Sequence, residues 1–523
     1  MRIAFLIPLL MILTFPLVSR WVGPHYLSEN LDPDYPYLVN SLAVRLGKIP
    51  GHWDHPGSTL QAVGGLTVLA LTVGVPEDDV AYRVLGDSEW YAWIISIALI
   101  ILYSIGVAYA GIIVWRATRE PYSVILFQSL PFAAFSTWSA LPKLSPDILT
   151  MVLGMILMAK VSPLFLRENE SIPEEMPTQS VWLVGILVGL ILTTKITGLS
   201  LAVIPLLIYR KSKRHLTRFL LATALSALAI LLLVQQKEII HFFRYFAGWL
   251  WRLALHRGKY GSGDMGVPTV GELAGSLWQV VLSMPFIALV FLLMTGFLFW
   301  GFQKKQGFQG KPVWRLFVSL MVVTCIQVLV VAKHPGDRYL IPQFACLALA
   351  FLVFLNLVFR ACRISPYRQK CTYRAVTCVV LVIFLSGPLY MALDRQSGIT
   401  ISESKKMDAK MAELGCREVL FYRATSVRYA LAFGNSYSRL QFSDPLDRLY
   451  PNYVGYDPDL GFVDFNRRPL SSGEVVGDNG KKRRTICLRG TYGVLAGHSP
   501  FSYADMTLVM RTHEEALFFL TQK

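Results

Sequence analysis

Long apolar stretches alternate with short polar segments along most of the chain. A bilayer-spanning helix needs about 20 consecutive apolar residues. Runs of this kind recur up to Leu393 and then stop, and one of them, 58–75, is interrupted by glycines. The pattern predicts an all-α polytopic membrane protein with about eleven transmembrane helices. The runs centre on 3–18, 58–75, 90–115, 121–140, 146–166, 180–209, 217–234, 276–300, 314–332, 339–360 and 375–393.

Basic residues concentrate in short loops between these runs. The formal net charge is +16, of which +13 lies before residue 394. Loops 209–218, 301–315 and 360–374 hold much of this excess. Short loops rich in Lys and Arg are typical of the cytoplasmic side of a membrane protein. The charge is therefore a topology signal, not a nucleic-acid signal, and it places loops 19–57, 235–275 and 333–338 outside.

The run 180–209 is too long for one crossing. As a single helix it would measure about 45 Å, against a hydrocarbon core of about 30 Å. Its middle reads Thr193-Thr194-Lys195-Ile196-Thr197-Gly198. A lone lysine in mid-bilayer is costly, so we expect two short helices with Lys195 at an outward-facing tip. Segment 58–75 then lies along the outer surface or re-enters; the alternative is that it spans.

The chain divides by composition into two domains. Residues 1–393 form the transmembrane domain, with a first outer loop at 19–89 that includes surface helices and a second at 235–275. Residues 394–523 are predicted to be a small soluble α/β domain. Its cysteines, Cys416 and Cys487, could pair, although spacing alone leaves this open. Its predicted elements are a helix at Lys405–Leu414, strands at 418–422, 485–488 and 506–510, and a last helix capped by Thr512 with Glu514 and Glu515 in its first turn.

The second outer loop carries a cationic stripe at helical spacing. Aromatic residues occupy much of the remaining surface, as in a helix that lies in the membrane interface. A lipid-headgroup anchor without a catalytic role is the favoured explanation of this stripe. The stripe consists of Lys237, His241, Arg244, Arg252, His256 and Lys259.

Polar residues of catalytic type gather on the predicted outer side. A carboxylate can remove a proton from an acceptor, and Lys and Arg can neutralise a departing phosphate. Each residue also has a structural alternative as a helix cap, a turn or a headgroup anchor. The candidates are Asp32 and Asp34 with Tyr35 and Tyr37; His52, Asp54 and His55; Asp147; and Lys195, Lys333, His334, Arg338 and Tyr339.

Five segments, in this order, resemble a known superfamily. They are DPDYPYLVNSLAVRLGKIP, DHPGSTLQ, SPDILTMVLG, LTTKITGLSLAVIPLL and DRYLIPQFACLAL, and they extend over most of residues 1–360. The sequence is similar to the GT-C superfamily of polyprenyl-phosphate-sugar glycosyltransferases, close to the protein O-mannosyltransferase and lipid A aminoarabinose transferase group. The resemblance implies a GT-C-like fold.

The resemblance also implies an activity and roles for individual residues. A sugar would pass from a polyprenyl phosphate to a glycan, lipid or protein acceptor with inversion, and Asp34 or Asp32 would be the base. Lys195, Arg338 and Tyr339 would hold the lipid phosphate, supported by Asp54, His55, Asp147 and His334. The family's usual Asp-Glu is Asp32-Pro33-Asp34 here, which leaves the choice of base open. Its His-Pro-Pro is His55-Pro56-Gly57.

The implied partners are a lipid-linked sugar, its acceptor and membrane lipids, without nucleic acid. No cofactor is required, although Asp32, Asp34, His52 and His55 could ligate a divalent cation. The protein would be a multi-pass protein of the plasma (inner) membrane, with its active site and C-terminal domain on the periplasmic side. Two rival functions remain: a lipid-linked-sugar flippase, and a glycan ligase that uses a pyrophosphate lipid.

Overall fold

The computed structural model divides the chain into two compact units. Unit 1 comprises Met1–Val18, Trp53–Leu60 and Ala98–Met391, and unit 2 comprises Ser19–His52, Gln61–Ile97 and Ala392–Lys523. Unit 2 thus combines most of the predicted first outer loop with the C-terminal domain. The residues described are 1–27, 29–53, 57–163, 178–256, 262, 264–266, 268–303, 312–333, 336–393, 396–421, 424–457, 460–471, 475, 486–491, 506–511 and 515–520.

The described residues are mostly helical. Short 3-10 segments at Arg2–Phe5, Leu130–Phe132, Ile196–Gly198, Gln236–Glu238 and Asp337–Gln343 adjoin the α-helices. The α-helices are α1 (Leu6–Val22), α2 (Leu31–Arg45), α3 (Ser58–Leu71), α4 (Glu77–Gly86), α5 (Ser88–Thr118), α6 (Pro121–Ser129), α7 (Phe135–Ala140), α8 (Pro146–Val161), α9 (Thr178–Thr194), α10 (Leu199–Tyr209), α11 (Lys213–Gln235), α12 (Ile239–Leu255), α13 (Val270–Ser283), α14 (Pro285–Gln303), α15 (Pro312–Ala332), α16 (Phe344–Ala361), α17 (Pro366–Leu393), α18 (Gln396–Leu414), α19 (Val427–Ser436) and α20 (Ser443–Leu449).

Many of these helices have the length and composition of membrane spans. Within the described residues, seven helices are long and apolar enough to cross a bilayer. Three shorter apolar helices, Ser58–Leu71, Thr178–Thr194 and Ile196–Tyr209, add to them. The predicted membrane class is confirmed, whereas the number of eleven crossings stays a prediction. The seven helices are Arg2–Val22, Ser88–Thr118, Lys213–Gln235, Pro285–Gln303, Val313–Ala332, Arg338–Ala361 and Pro366–Leu393.

The predicted break in 180–209 is present at Lys195. Helix α9 ends at Thr194, and α10 begins at Leu199 after a single 3-10 turn. At 1.5 Å per residue, the 17 residues of α9 and the 11 of α10 extend about 25 and 16 Å. Neither helix alone matches a 30 Å core, as expected for a pair that meets at a polar tip.

Two of the apolar runs are each divided into two α-helices, which their composition does not indicate. The run 121–140 becomes α6, a 3-10 turn and α7, because Pro131 cannot donate a backbone hydrogen bond and Ala134 is extended. The run 276–300 is split between α13 and α14 at Met284, which precedes Pro285 and has left the helical region. Each break follows from a proline inside an otherwise continuous apolar pattern.

The predicted interfacial segment forms a helix. In α12, Phe242 and Trp249 are buried, whereas Ile240, Phe243 and Trp251 are exposed. Its position at the membrane interface stays a prediction. Lys237, whose side chain is not described, precedes this helix, and Lys259 lies outside the described residues.

The C-terminal domain contains a six-stranded mixed sheet. The strands are β1 (Arg417–Leu420), β2 (Gly455–Asp457), β3 (Gly461–Val463), β4 (Ile486–Thr491), β5 (Met506–Arg511) and β6 (Glu515–Leu520), in the order β3-β2-β1-β4-β6-β5. Strand β1 is parallel to β2 and β4, and the other pairs are antiparallel. Val419, Ile486 and Leu488 belong to the core on one face, and Met407 and Cys487 to the core on the other. The predicted α/β class is confirmed.

The predicted last helix of the domain is wrong. Residues Glu515–Leu520 form β6, which pairs with both β4 and β5. Ala516, Leu517 and Phe518 are all buried, as in an interior strand covered on both faces. Hydrogen bonding to a neighbouring strand on each side therefore stabilises an extended conformation here, although the acidic residues suggested the start of a helix. Thr512 and Glu514 lie outside the described residues.

One helix of the domain begins earlier than predicted, and the pairing of its two cysteines, which the sequence left open, is present. The predicted helix at Lys405–Leu414 begins earlier, at Gln396, and ends as expected before Gly415, whose φ of 59° suits glycine. Cys416 and Cys487 form a disulfide with their Cα atoms 5.7 Å apart. The bond ties the end of α18 to β4.

Candidate active site

Asp147 is fixed at the start of α8 by its local sequence. Ser145 is the N-cap, and its hydroxyl accepts a hydrogen bond from the Asp147 backbone N–H at 3.3 Å. The same hydroxyl donates to Asp147 Oδ2 at 2.6 Å. Pro146 occupies the first helical position, where its missing N–H costs nothing. The Ser-Pro-Asp sequence thus explains both the helix start and the orientation of the carboxylate.

Lys195 lies at the break between α9 and α10. Its backbone is extended, and its side chain is buried although it is charged. Gly198 permits the tight turn that follows, because a Cβ there would lie 2.4 Å from Ile191 Cγ2 and 2.9 Å from Thr150 Cγ2. The Gly198 N–H closes the turn on the Lys195 carbonyl at 3.0 Å. The small residue therefore lets the chain turn sharply beside α8.

Arg338 and Tyr339 lie on the 3-10 segment Asp337–Gln343, which leads into α16. Neighbouring helices hold this segment through side-chain amides. Gln343 accepts a hydrogen bond from Ser200 of α10 at 3.1 Å and donates to Thr324 of α15 at 2.9 Å. Gln327 of α15 donates to the Tyr339 carbonyl at 3.3 Å. The segment is thus braced from two helices.

These three segments meet in one group, Asp147, Lys195, Arg338 and Tyr339, which we call the cationic cluster. Lys195 Nζ donates to Asp147 Oδ1 in a buried ion pair. The centroid of the Tyr339 ring lies 4.8 Å from Lys195 Nζ and 5.1 Å from Arg338 Cζ, so both cations contact this ring. Arg338 also donates to the Tyr339 hydroxyl at 3.1 Å. Counted over these four residues, two cations and one carboxylate give a formal charge of +1, and Lys and Arg are side chains that bind phosphate.

Another segment of unit 1, which contains Gly57 and Thr59, is hydrogen-bonded to the residues just before Lys195. The Gly57 N–H donates to the carbonyl of Thr194 at 3.1 Å, and the hydroxyls of Thr59 and Thr193 are 2.9 Å apart. Gly57 has a φ of 55°, a conformation that favours glycine. Of the other predicted site residues, Asp54, His55 and His334 lie outside the described residues.

Asp32 and Asp34 belong to unit 2 and differ in environment. Asp34 is fully buried, and its Oδ2 lies 2.5 Å from Nδ1 of His25. Asp32 is exposed and has non-helical backbone angles at the start of α2. The two predicted base candidates are therefore distinguished by solvent access.

Glu89 extends the network around Asp34. Its Oε2 accepts a hydrogen bond from the His25 backbone N–H at 2.9 Å, and its Oε1 accepts from the Tyr35 hydroxyl at 2.7 Å. Burial first, and then the charge of Glu89, raise the pKa of Tyr35 well above its usual value, so this hydroxyl stays a donor. Sequence reasoning missed His25 and Glu89. Glu89 carried no distinctive signal, since an acidic residue in the first turn of a helix is common.

The other candidate residues from the predicted outer loops have mainly aromatic or backbone partners. In unit 2, the His52 ring contacts the rings of Tyr37 and Tyr437, at centroid distances of 5.2 and 5.1 Å. In unit 1, Lys333 Nζ donates to the carbonyls of Leu253 and Ala254, at 2.6 and 3.0 Å. Within the described parts of the chain, no three His, Cys, Asp or Glu side chains are grouped as metal ligands.

Unit 1 also contains an apolar cavity of about 240 Å³. Residues of α13, α14, α15 and α16 line it, together with Leu340 and Gln343 of the 3-10 segment that carries Arg338. Its walls are almost entirely apolar, as Val280, Phe291 and Val328 illustrate. The 3-10 segment Asp337–Gln343 therefore contributes residues both to the cavity and to the cationic cluster.

Comparison with solved structures finds proteins that resemble this chain at low sequence identity. ArnT from Cupriavidus metallidurans in the apo state matches with a TM-score of 0.53 at 13% identity, over 98% of this chain and 97% of that one. ArnT from the same organism bound to undecaprenyl phosphate gives a TM-score of 0.51 at the same identity and coverage. The archaeal oligosaccharyltransferase AglB from Archaeoglobus fulgidus, in complex with an inhibitory peptide and a dolichol-phosphate, gives 0.42 at 11% identity, over 82% and 66%.

No family model and no curated protein sequence matches the chain. The structural likeness to ArnT spans nearly the whole of both chains at low identity, so it shows the fold. The protein is an integral, multi-pass membrane protein with the GT-C fold and a small C-terminal sheet domain. The fold that the sequence resemblance implied is confirmed.

Proposed function

We propose that this protein is a membrane glycosyltransferase that moves one sugar from a polyprenyl-phosphate donor to a cell-envelope glycan, lipid or protein. The observation that carries the proposal is the cationic cluster inside a GT-C fold. ArnT, which has this fold, was crystallised with undecaprenyl phosphate. A net positive group beside an apolar cavity suits a ligand with one phosphate and a long hydrocarbon chain.

The reaction would be a direct displacement at the anomeric carbon. The acceptor oxygen or nitrogen forms a bond to that carbon while the bond to the phosphate oxygen breaks. The acceptor proton passes to a carboxylate, and the electron pair of the broken bond stays on the polyprenyl phosphate. Attack opposite the leaving group inverts the anomeric configuration. No metal or cofactor enters this balance.

Lys195, Arg338 and Tyr339 would bind the phosphate. Arg338 can hold two phosphate oxygens with its planar guanidinium, and Lys195 supplies a compact charge. Tyr339 keeps Arg338 in place through its hydroxyl. Asp147 would orient Lys195 and set the net charge of the cluster. Charge that grows on the leaving phosphate is then stabilised by groups that are already positioned.

Asp32 would accept the proton, with Asp34 as its neighbour in the same turn. A general base must reach the proton that it removes. Asp32 is exposed, whereas Asp34 is buried against His25. The ion-pair and hydrogen-bond network around Asp34 supports a role in shaping the turn rather than in meeting the acceptor.

The apolar cavity would hold part of the prenyl chain. It is lined by apolar side chains such as Val280, Phe291, Val328 and Leu340. Burying apolar surface stabilises binding by about 25 cal/mol per Å². Most affinity for the donor would then come from its lipid, and the cationic cluster would select the phosphate.

The reaction would take place on the outer face of the plasma (inner) membrane. The disulfide between Cys416 and Cys487 supports this location for the C-terminal domain, because such bonds form in oxidising compartments. The basic loops 209–218, 301–315 and 360–374 support the same orientation.

Transfer by the purified full-length protein in lipid nanodiscs tests the proposal. Polyprenyl phosphates carrying different labelled sugars are offered together with cell-envelope acceptor fractions. We expect wild type to release polyprenyl phosphate and label an acceptor, and Asp32→Asn to lower turnover by roughly 10²- to 10⁴-fold. Asp78→Asn, which alters another exposed carboxylate of unit 2, is the matched control and should retain activity.

Three outcomes would contradict parts of the proposal. Full activity of Asp32→Asn would reject the assigned base. Transfer of whole glycans from pyrophosphate lipids alone would favour the ligase. Movement of lipid-linked sugar across sealed vesicles, without transfer from any donor, would favour the flippase.

A further inference from the structure

Helix α19 of the C-terminal domain approaches the carboxylate-bearing helix α2 unusually closely, within unit 2. A Cβ added to Gly434 would lie 2.8 Å from the carbonyl oxygen of Tyr35 and 2.9 Å from Val39 Cγ2. Real Cβ atoms essentially never come this near to backbone, so any larger residue must push the helices apart. Tyr35 directly follows Asp34. Gly434 therefore sets the distance between α19 and the turn that carries the carboxylates.

A buried asparagine makes the second connection. Asn40 is fully buried on α2, and its Nδ2 donates to the carbonyls of Pro36 at 2.6 Å and of Tyr437 at 3.1 Å. Its Oδ1 accepts from the Gly51 N–H at 2.8 Å. One side chain thus joins α2 to the end of α19 and to the segment that follows α2. Removing it would leave one buried and two partly buried backbone groups without these partners, which is costly.

The segment after α2 is held by the same part of the C-terminal domain. Gln441 Nε2 donates to the Ile49 carbonyl at 2.7 Å. A Cβ on Gly51 would lie 2.7 Å from the carbonyl oxygen of Tyr437, so this approach is also close. Lys48 Nζ lies 4.8 Å from the centre of the Phe442 ring. Both the beginning and the end of the stretch 31–52 are therefore fixed from one short stretch, 434–442.

We propose that residues 434–442, which we call the clamp, position the first-loop carboxylates for proton transfer. Gly434 and Asn40 are positioning residues in this scheme, and the C-terminal domain acts through α2 rather than by selecting the acceptor. The inference rests on the proposed function, since Asp32 and Asp34 are the carboxylates assigned there. Misplacing a catalytic group by about 1 Å can lower a rate by roughly 10²-fold.

Gly434→Ala in the full-length protein tests the clamp. We expect kcat to fall roughly 10- to 100-fold, with KM values for donor and acceptor changed less than about twofold, because binding groups are left in place. Gly86→Ala is the matched control: its added Cβ meets only Leu449 Cδ2, at an ordinary 3.8 Å. Gln441→Ala, which loses the side-chain hydrogen bonds to the carbonyls of Ile49 and Ser438, is a milder second variant and should show a smaller fall in kcat.

Hydrogen–deuterium exchange supplies a readout that does not depend on activity. In Gly434→Ala we expect faster exchange in residues 31–45 and unchanged exchange in β4 and β6, which report the folding of the domain. Unchanged kcat together with unchanged exchange in 31–45 would overturn the inference. A rise in acceptor KM alone would overturn it in favour of acceptor selection.

The failure of the inference can be told from the failure of the proposed function. If wild type transfers no sugar from any donor, the proposed function fails, and exchange in 31–45 still decides whether the clamp holds α2. If wild type is active and Gly434→Ala matches it in both measurements, the inference alone fails.

Discussion

Lys195 and Asp147 form an ion pair in which the two side chains are only 3% and 4% exposed. The two residues come from different segments, the break between α9 and α10 and the start of α8. A buried ion pair gains little net stability, because both charges lose their hydration. Under the proposed function, the role of the pair is therefore to place Lys195 for phosphate binding beside Arg338 and Tyr339 rather than to stabilise the fold.

Substitutions in this ion pair should affect protein stability and sugar transfer differently. Lys195→Met leaves Asp147 buried without its cation, and we expect a loss of about 3–5 kcal/mol of stability. The double variant Asp147→Asn/Lys195→Met should recover much of that loss, yet transfer no sugar. Thermal unfolding in detergent and the transfer assay measure the two quantities. Recovery of transfer in the double variant would exclude Lys195 from phosphate binding, and Lys160→Met at the other end of α8 serves as control.

Tyr339 offers a finer test of the same cluster. Tyr339→Phe keeps the ring near Lys195 but removes the hydroxyl that accepts from Arg338. We expect a cost in stability of about 0.5–1.5 kcal/mol and a several-fold higher KM for the donor, because Arg338 is less well oriented. Tyr339→Leu should be worse, since the cation–π contacts are lost as well. Equal kinetics for both variants and wild type would show that Tyr339 plays no part in donor binding.

Local sequence signals predicted part of the site. Ser145-Pro146-Asp147 is a helix start by its own chemistry, and the polar break around Lys195 interrupts an apolar run that is too long for one crossing. Both features depend on neighbours within a few residues. They could therefore be recognised without knowing the tertiary structure.

Pairing between distant segments could not be predicted in this way. Asp147 and Lys195 are 48 residues apart, and Glu89 meets Tyr35 across 54. No periodicity links such positions, since only the folded chain brings them together. The same reason explains why the helix predicted at Glu515 was wrong. Hydrogen-bonded partners in β4 and β5 stabilise a strand there.

Because of the disulfide in the C-terminal domain, we expect the stability losses of its two cysteine variants to be non-additive. Cys416→Ala and Cys487→Ala each break the same bond, which closes a separation of 71 residues. We expect each to destabilise the domain by roughly 4 kcal/mol at most, and the double variant to be no worse than the larger single loss. Denaturant unfolding followed by proteolysis of the domain measures this. Alkylation of the non-reduced, denatured protein should modify five of its seven cysteines, whereas seven would exclude the bond.

His25 and Asp34 provide the last test, because they decide what Asp34 contributes. His25→Gln keeps a hydrogen-bond donor near Asp34, whereas His25→Leu removes it and leaves a buried carboxylate without this partner. We expect His25→Leu to cost about 1–3 kcal/mol or more and to lower kcat, and His25→Gln to retain most stability. Asp34→Asn should resemble His25→Leu in kcat if Asp34 acts by shaping the turn. A complete loss of transfer in Asp34→Asn, with normal stability and an active Asp32→Asn, would instead make Asp34 the base.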